Sequence, residues 1–170
     1  KPLQSVKVEF NKSRIVRPTN TDFITSVRLK KFVIQLLFGK QNINMKEEQL
    51  IKDNYDDILT FLERFFRVFV EVLPEEPGNV LQYALGLEPM QNAIALYLHQ
   101  RIIVEKSKGI YWIHNWEEEV KPLEKINWSP KNPMWRQYML TSRAKTPYEF
   151  NLFIEHVDKD LMVIIKDQIN

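Results

Sequence analysis

The pattern of apolar residues along the chain is mainly that of amphipathic helices. Over 22–38 the apolar positions recur at helical spacing, and Gly39 follows as a typical C-terminal stop. A second apolar stripe extends over 44–73, where Asn44 and Glu47 have the spacing of a capping box and two prolines follow the last apolar residue. We therefore predict two helices in the first half of the chain.

Four phenylalanines share one face of the second predicted helix and could be mistaken for a ligand pocket. These residues are Phe61, Phe65, Phe66 and Phe69. Aromatic side chains at helical spacing belong to the hydrophobic core far more often than to a binding pocket. We therefore assign them to the core.

The second half of the chain combines helical and strand-like patterns. A helix is predicted over 89–98, and residues 102–113 suggest two short strands around Gly109. Thr146, with proline next and glutamate three residues on, predicts a capped helix start, and one apolar stripe continues from there to Gln168. A short acidic helix over 116–125 and a half-buried strand over 3–10 complete the prediction.

These elements predict a mainly α fold, a domain of four to six helices with a small β-hairpin or short sheet. A helix followed by a tight hairpin is also the outline of a winged helix. The predicted helix has only Arg101 as a cation, whereas a recognition helix normally has several. We therefore do not assign a winged helix.

Composition places the chain among ordinary globular proteins. It has 170 residues, of which 44% are hydrophobic and 27% charged, which suits one domain with a proper core.

It begins at Lys1, so we expect a piece of a longer protein. No stretch has the length of a membrane span and no signal peptide is evident, so we expect a cytoplasmic protein with no membrane partner. The absence of cysteine excludes disulfides and thiolate chemistry.

Charge is strongly segregated along the chain. The net charge is +7 over 1–45, −7 over 46–124, +5 over 125–145 and −3 over 146–170. Two basic segments separated by an acidic one would attract nucleic acid if the fold brought them together. The alternative is that these charges complement one another inside the protein, and the sequence leaves both open.

We predict that the two basic segments, 12–31 and 125–145, form a DNA-binding surface. The candidate contacts are Arg14, Arg17, Arg28, Lys30, Lys31, Lys131, Arg136, Arg143 and Lys145, with Lys125 as a further phosphate contact. Trp128, Trp135 and Tyr138 lie among these cations and could stack on bases. Because indoles are usually buried, we interpret the two tryptophans as core anchors.

Catalytic or metal chemistry has little support in the sequence. His114 with Glu117 and Glu118 has a conceivable metal-ligand spacing, but such spacings also arise by chance on exposed helices, and no metal or cofactor is predicted. Ser129 precedes a proline and lacks the glycines of a nucleophile elbow, and no glycine-rich phosphate loop is present. The alternative to DNA binding is a non-catalytic scaffolding domain whose acidic middle segment docks a basic partner or another domain of the parent chain.

Three segments resemble the C-terminal part of DGQHR-domain proteins, a family associated with DNA phosphorothioation. They are YDDILTFLERFFRVFVEVLP at 55–74, ALGLEPMQNAIALYL at 84–98 and LEKINWSPKNPMWR at 123–136. The last is similar to a family pattern of Asp/Asn-Trp-Ser followed by Asn-Pro-x-Trp. It is matched by Asn127, Trp128, Ser129, Asn132, Pro133 and Trp135.

The resemblance is specific over about a dozen residues, and the five-residue DGQHR motif itself is absent from the chain. His99, Gln100 and Arg101 are not a substitute, because they lie late in a predicted helix. The resemblance implies a bacterial or phage-related protein that regulates DNA modification and is not itself an enzyme in this part of the chain. It assigns no role to the matching residues.

Overall fold

The fold is known from a computed structural model that describes residues 8–9, 23–106, 109–140 and 152–170. The α-helices in these ranges are α1 (Ser26–Phe38), α2 (Met45–Asp53), α3 (Tyr55–Val72), α4 (Glu88–Ile102), α5 (Glu117–Val120), α6 (Pro133–Arg136) and α7 (Asp158–Ile169). The strands are β1 (Val8–Glu9), parallel to β2 (Ile24–Thr25), and β3 (Ile103–Lys106), antiparallel to β4 (Gly109–Trp112). Short 3-10 helices cover Ala84–Gly86 and Lys121–Lys125. The predicted mainly helical fold with a small hairpin is confirmed.

Helix α4 is the centre of the molecule. It packs against both α1 and α7, and residues on almost its whole circumference are buried. A helix that is buried all round needs apolar or internally hydrogen-bonded side chains on every face, and Met90, Ile94, Leu98 and Ile102 supply the apolar part. Because α4 is enclosed, it cannot enter a DNA groove, which excludes the winged-helix alternative.

Helix α1 starts later than predicted. Thr25 is its N-cap, and the Thr25 hydroxyl accepts a hydrogen bond of 3.1 Å from the backbone N–H of Arg28. The residues before Thr25 are extended because β2 pairs with β1. Gly39 is the predicted stop: its φ is +70°, and a Cβ there would lie 2.6 Å from the His99 ring.

The prediction of one helix over 44–73 is wrong, because the chain breaks at Asn54 into α2 and α3. The Asn54 side chain donates to the Leu50 carbonyl at 2.8 Å and so satisfies the end of α2. The Asn44–Glu47 capping box is confirmed, with both reciprocal hydrogen bonds formed. The four phenylalanines of α3 are buried in one aromatic cluster, as predicted.

The acidic segment and the hairpin also follow the prediction. The two strands of residues 103–112 pair antiparallel, with Lys106 opposite Gly109. The acidic stretch forms α5, which continues directly into the 3-10 helix Lys121–Lys125. Helix α5 and this 3-10 helix both pack against α3. They therefore enclose one end of the aromatic cluster.

The last predicted helix is wrong in its N-terminal part. Phe153 forms an isolated antiparallel bridge with Met139, and His156 has a left-handed φ of +61°. Helix α7 begins only at Asp158, and its stripe of Leu161, Ile164 and Ile165 is buried as predicted. The predicted capping box of Thr146, Pro147 and Glu149 lies outside the described residues.

Membrane insertion was not predicted. Within the described ranges, none of the helices combines the length and the apolar character needed to span a bilayer.

Candidate nucleic-acid interface

The segment 125–136 is fixed to the body of the protein by backbone hydrogen bonds at several points. The Ala84 N–H donates to the Trp128 carbonyl at 2.8 Å. The Asn127 N–H donates to the Gln168 side chain, in the last turn of α7, at 3.1 Å. The segment is thus held between the Ala84–Gly86 turn and the C-terminal end of α7.

The two tryptophans of this segment are core anchors, as predicted. Trp128 and Trp135 are 5% and 0% exposed, and their rings stack with centroids 6.1 Å apart. The Trp135 indole donates a hydrogen bond of 2.9 Å to the Ser129 carbonyl. Neither ring is available to stack on a base. Base stacking by these two tryptophans is therefore excluded.

The polar residues of the segment close its turns. Asn132 is the N-cap of α6: its side-chain oxygen accepts from the Met134 N–H at 3.0 Å, and its amide donates to the Asn127 carbonyl at 2.9 Å. The Ser129 N–H donates to the Asn127 side chain, and the Lys131 N–H donates to the Ser129 hydroxyl. The residues that match the family pattern therefore build one rigid loop.

With its tryptophans buried, this loop exposes lysines and uncharged residues but no acid. Lys125 and Lys131 are exposed, and neither has a carboxylate partner within the described part of the chain. Arg136 is half-buried, and its guanidinium lies 3.4 Å from the Met139 sulfur. Two exposed lysines on a fixed loop can contact phosphates without first losing backbone freedom.

The cations of α1 have three different environments. Arg28 is 5% exposed and donates to the Gly86 carbonyl at 2.9 Å, so its prediction as a DNA contact is corrected to a structural role. Lys31 is exposed but lies 3.6 Å from the Glu88 carboxylate. Lys30 is exposed with no acidic partner among the residues described. Only Lys30 therefore remains a fully available contact on this helix.

The two basic segments meet the same short turn. Arg28 of α1 binds the Gly86 carbonyl, and Trp128 of the loop binds the Ala84 N–H. This arrangement connects the start of α1 to the loop through three residues. The remaining candidates, Arg14, Arg17, Arg143 and Lys145, lie outside the described residues.

The acids of α5 are neutralised internally. Glu117 lies 2.7 Å from Arg64, Glu118 2.9 Å from Lys121, and Glu119 3.5 Å from Arg101. For this helix, the alternative of internal charge complementarity is therefore correct. His114 is exposed nearby, and the described residues contain no group of three histidine, aspartate or glutamate side chains that could hold a metal ion.

A buried polar chain, which the sequence did not suggest, links three helices. The Gln35 amide donates to the Asn92 side chain at 2.7 Å, and Asn92 donates to the Asp158 carboxylate at 3.1 Å. Burial raises the pKa of Asp158; the Asn92 hydrogen bond lowers it in part, and the Glu88 charge raises it further. The signal in the sequence was the pair of amides, Gln91 and Asn92, directly before the apolar run 93–98 of α4.

Comparison of the chain with protein-family models, curated proteins and solved structures gives no match in any of the three.

Proposed function

We propose that the chain is a non-catalytic DNA-associated binding module that contacts phosphates through Lys125, Lys131 and Arg136, with Lys30 as a further contact. The observation that carries this proposal is the loop 125–136. It withdraws both tryptophans into the core and leaves its lysines exposed, and it contains no acid after Glu124. Such a surface binds the DNA backbone without reading its sequence.

The resemblance to DGQHR-domain proteins favours the same function. The matching residues form the scaffold of the loop, so the resemblance concerns the structure that positions these cations. On this basis we propose that the module belongs to a bacterial protein that regulates DNA modification.

The test is the salt dependence of duplex DNA binding. For the double variant Lys125→Gln and Lys131→Gln, we expect weaker binding and a log–log salt slope that is shallower by about 1 per lysine removed. The matched control is the double variant Lys46→Gln and Lys159→Gln, which removes the same charge from exposed sites on α2 and at the start of α7, outside the loop and outside the cavity that Lys30 lines. We expect it to keep the parental slope.

Two results would contradict the proposal. One is no DNA binding by the parent protein at low salt. The other is an equal loss of slope in the two double variants, which would indicate attraction by net charge rather than by the loop.

A second candidate function is the docking of a basic protein partner or another domain of the parent chain. One observation favours it: Asp56 and Asp57, at the start of α3, are exposed and have no cationic partner among the residues described. Such a partner would have to present cations to the surface beside Asp57.

A further inference from the structure

A second tryptophan-rich surface lies between α3, β4 and α5. Two adjoining cavities of about 420 Å³ and about 600 Å³ share Arg64, Trp112 and Trp116 in their walls. The first cavity extends to Asp57 and Tyr111, and the second to His114 and Asn115. We refer to the two cavities together as the aromatic groove. Their volumes lie within the range of about 300–1,000 Å³ that is usual for ligand sites.

The aromatic walls of the groove are rigid and partly open to solvent. Trp112 stacks on Phe61 with ring centroids 4.2 Å apart, and Trp116 meets Phe61 edge-on at 5.3 Å. Phe61 and Trp116 are buried, Trp112 is half-buried and Tyr111 is 44% exposed. The core therefore fixes Trp112 from behind, while the half-buried Trp112 ring still reaches a ligand.

The uncompensated charge of the groove is negative. Arg64 lies in its wall but is held at 2.7 Å by Glu117, so these two charges cancel. Asp57 is exposed and, in the part of the chain described, contacts no cation. Asp56, next to it in α3, and Asp53, at the end of α2, add negative charge along the adjoining chain. A phosphate would be repelled here, whereas a cation would be attracted.

We infer that the aromatic groove binds the cationic side chain of an arginine or lysine in a basic peptide segment. The flat side chain would lie against Trp112, with Asp57 compensating its charge. Aromatic faces attract guanidinium and ammonium groups, and arginine is the more common partner. Asn54, Thr60 and Asn115 line the groove and offer hydrogen bonds to the rest of the segment.

The aromatic groove gives the second candidate function, the docking of a basic partner, a specific site, and it does not depend on DNA binding. The cations of the loop 125–136 do not line the groove. Failure of either proposal therefore leaves the other standing, and each has its own variants.

The test uses a short blocked peptide containing two arginines, and the same peptide with neutral citrulline in place of each arginine. The parent protein is titrated with each while the indole N–H signals are followed by NMR. We expect the arginine peptide to shift the Trp112 signal and to leave those of Trp128 and Trp135 unchanged. The citrulline peptide should produce no comparable shift.

Two exposed acids provide a matched pair of variants. Asp57→Asn should weaken the arginine peptide about fivefold or more, the size of effect expected for a partly desolvated charge contact. Asp56→Asn removes the same charge one residue away, from a side chain that does not line the groove, and should change the affinity less than about twofold.

Three results would overturn the inference. The first is equal binding of the citrulline peptide. The second is an equal loss in the Asp56 and Asp57 variants, which would indicate non-specific attraction. The third is a thymidine oligonucleotide that shifts the Trp112 signal and binds more tightly to Asp57→Asn, which would identify single-stranded nucleic acid as the occupant.

Discussion

The loop 125–136 and the aromatic groove use the same residue types in opposite ways. In the loop, Trp128 and Trp135 are buried and the lysines remain at the surface. In the groove, Trp112 reaches solvent beside an exposed carboxylate, and the cation, Arg64, is neutralised by Glu117. A mixture of tryptophans and charges in the sequence therefore does not indicate which of the two reaches a partner. The packing of each indole in the fold determines whether the ring or the neighbouring charge is exposed.

The largest expected effect separates the two kinds of tryptophan. Trp135→Ala should lower the free energy of unfolding by about 3–5 kcal/mol, because it removes a fully buried indole and its hydrogen bond to Ser129. Trp112→Ala should cost about half as much or less, because Trp112 is only half-buried. Urea unfolding followed by circular dichroism measures both. Equal losses would mean that the groove is part of the core rather than an open site.

A smaller effect tests the turns of the loop. Asn132→Ala should lower the free energy of unfolding by about 1–2 kcal/mol, because it removes the cap of α6 and the hydrogen bond to Asn127. Asn115→Ala, at an exposed position beside the groove, should change it by less than about 0.5 kcal/mol. The same unfolding experiment applies. If the Asn132 variant were as stable as the parent, the loop would not depend on these contacts.

The sequence predicted much of the loop because its information is local. The burial of the two tryptophans follows from the general cost of exposing indoles, and the candidate cations are adjacent along the chain. Arg28 shows where that reasoning failed. The basic segment predicts that Arg28 is a surface contact. Its position on the buried face of α1 instead directs its side chain to the Gly86 carbonyl.

The aromatic groove could not be predicted, because its residues come from three elements that meet only in the fold. Asp57 and Arg64 belong to α3, Tyr111 and Trp112 to β4, and Trp116 immediately precedes α5. The break between α2 and α3 at Asn54 could not be predicted either, because the pattern of apolar residues does not change there. The apolar spacing continues through it, and only the Asn54 hydrogen bond to Leu50 marks the end of α2.

The smallest change in stability is expected from the pH dependence of the polar chain formed by Gln35, Asn92 and Asp158. Burial raises the pKa of Asp158 above its ordinary value of 3.8, so the folded protein holds this proton more tightly than the unfolded chain. Stability from this group is therefore greatest at pH values below the ordinary pKa and decreases as the pH rises through the raised one. Asp158→Asn should remove this decrease, since asparagine stays neutral and can still accept from Asn92.

The measurement is the free energy of unfolding of parent and variant from pH 3.5 to 7. We expect the variant to gain stability relative to the parent as the pH rises. Asp160→Asn controls for the loss of one negative charge from the first turn of α7. A constant difference between parent and Asp158→Asn across the range would show that Asp158 has an ordinary pKa in the folded protein.

If the loop and the groove serve different partners, duplex DNA should perturb only the loop. In backbone and indole NMR spectra recorded during a titration with duplex DNA at low salt, we expect the amide signals of Lys125, Lys131 and Arg136 to shift while the Trp112 indole signal stays in place. A shift of the Trp112 signal with an unchanged loop would contradict this expectation.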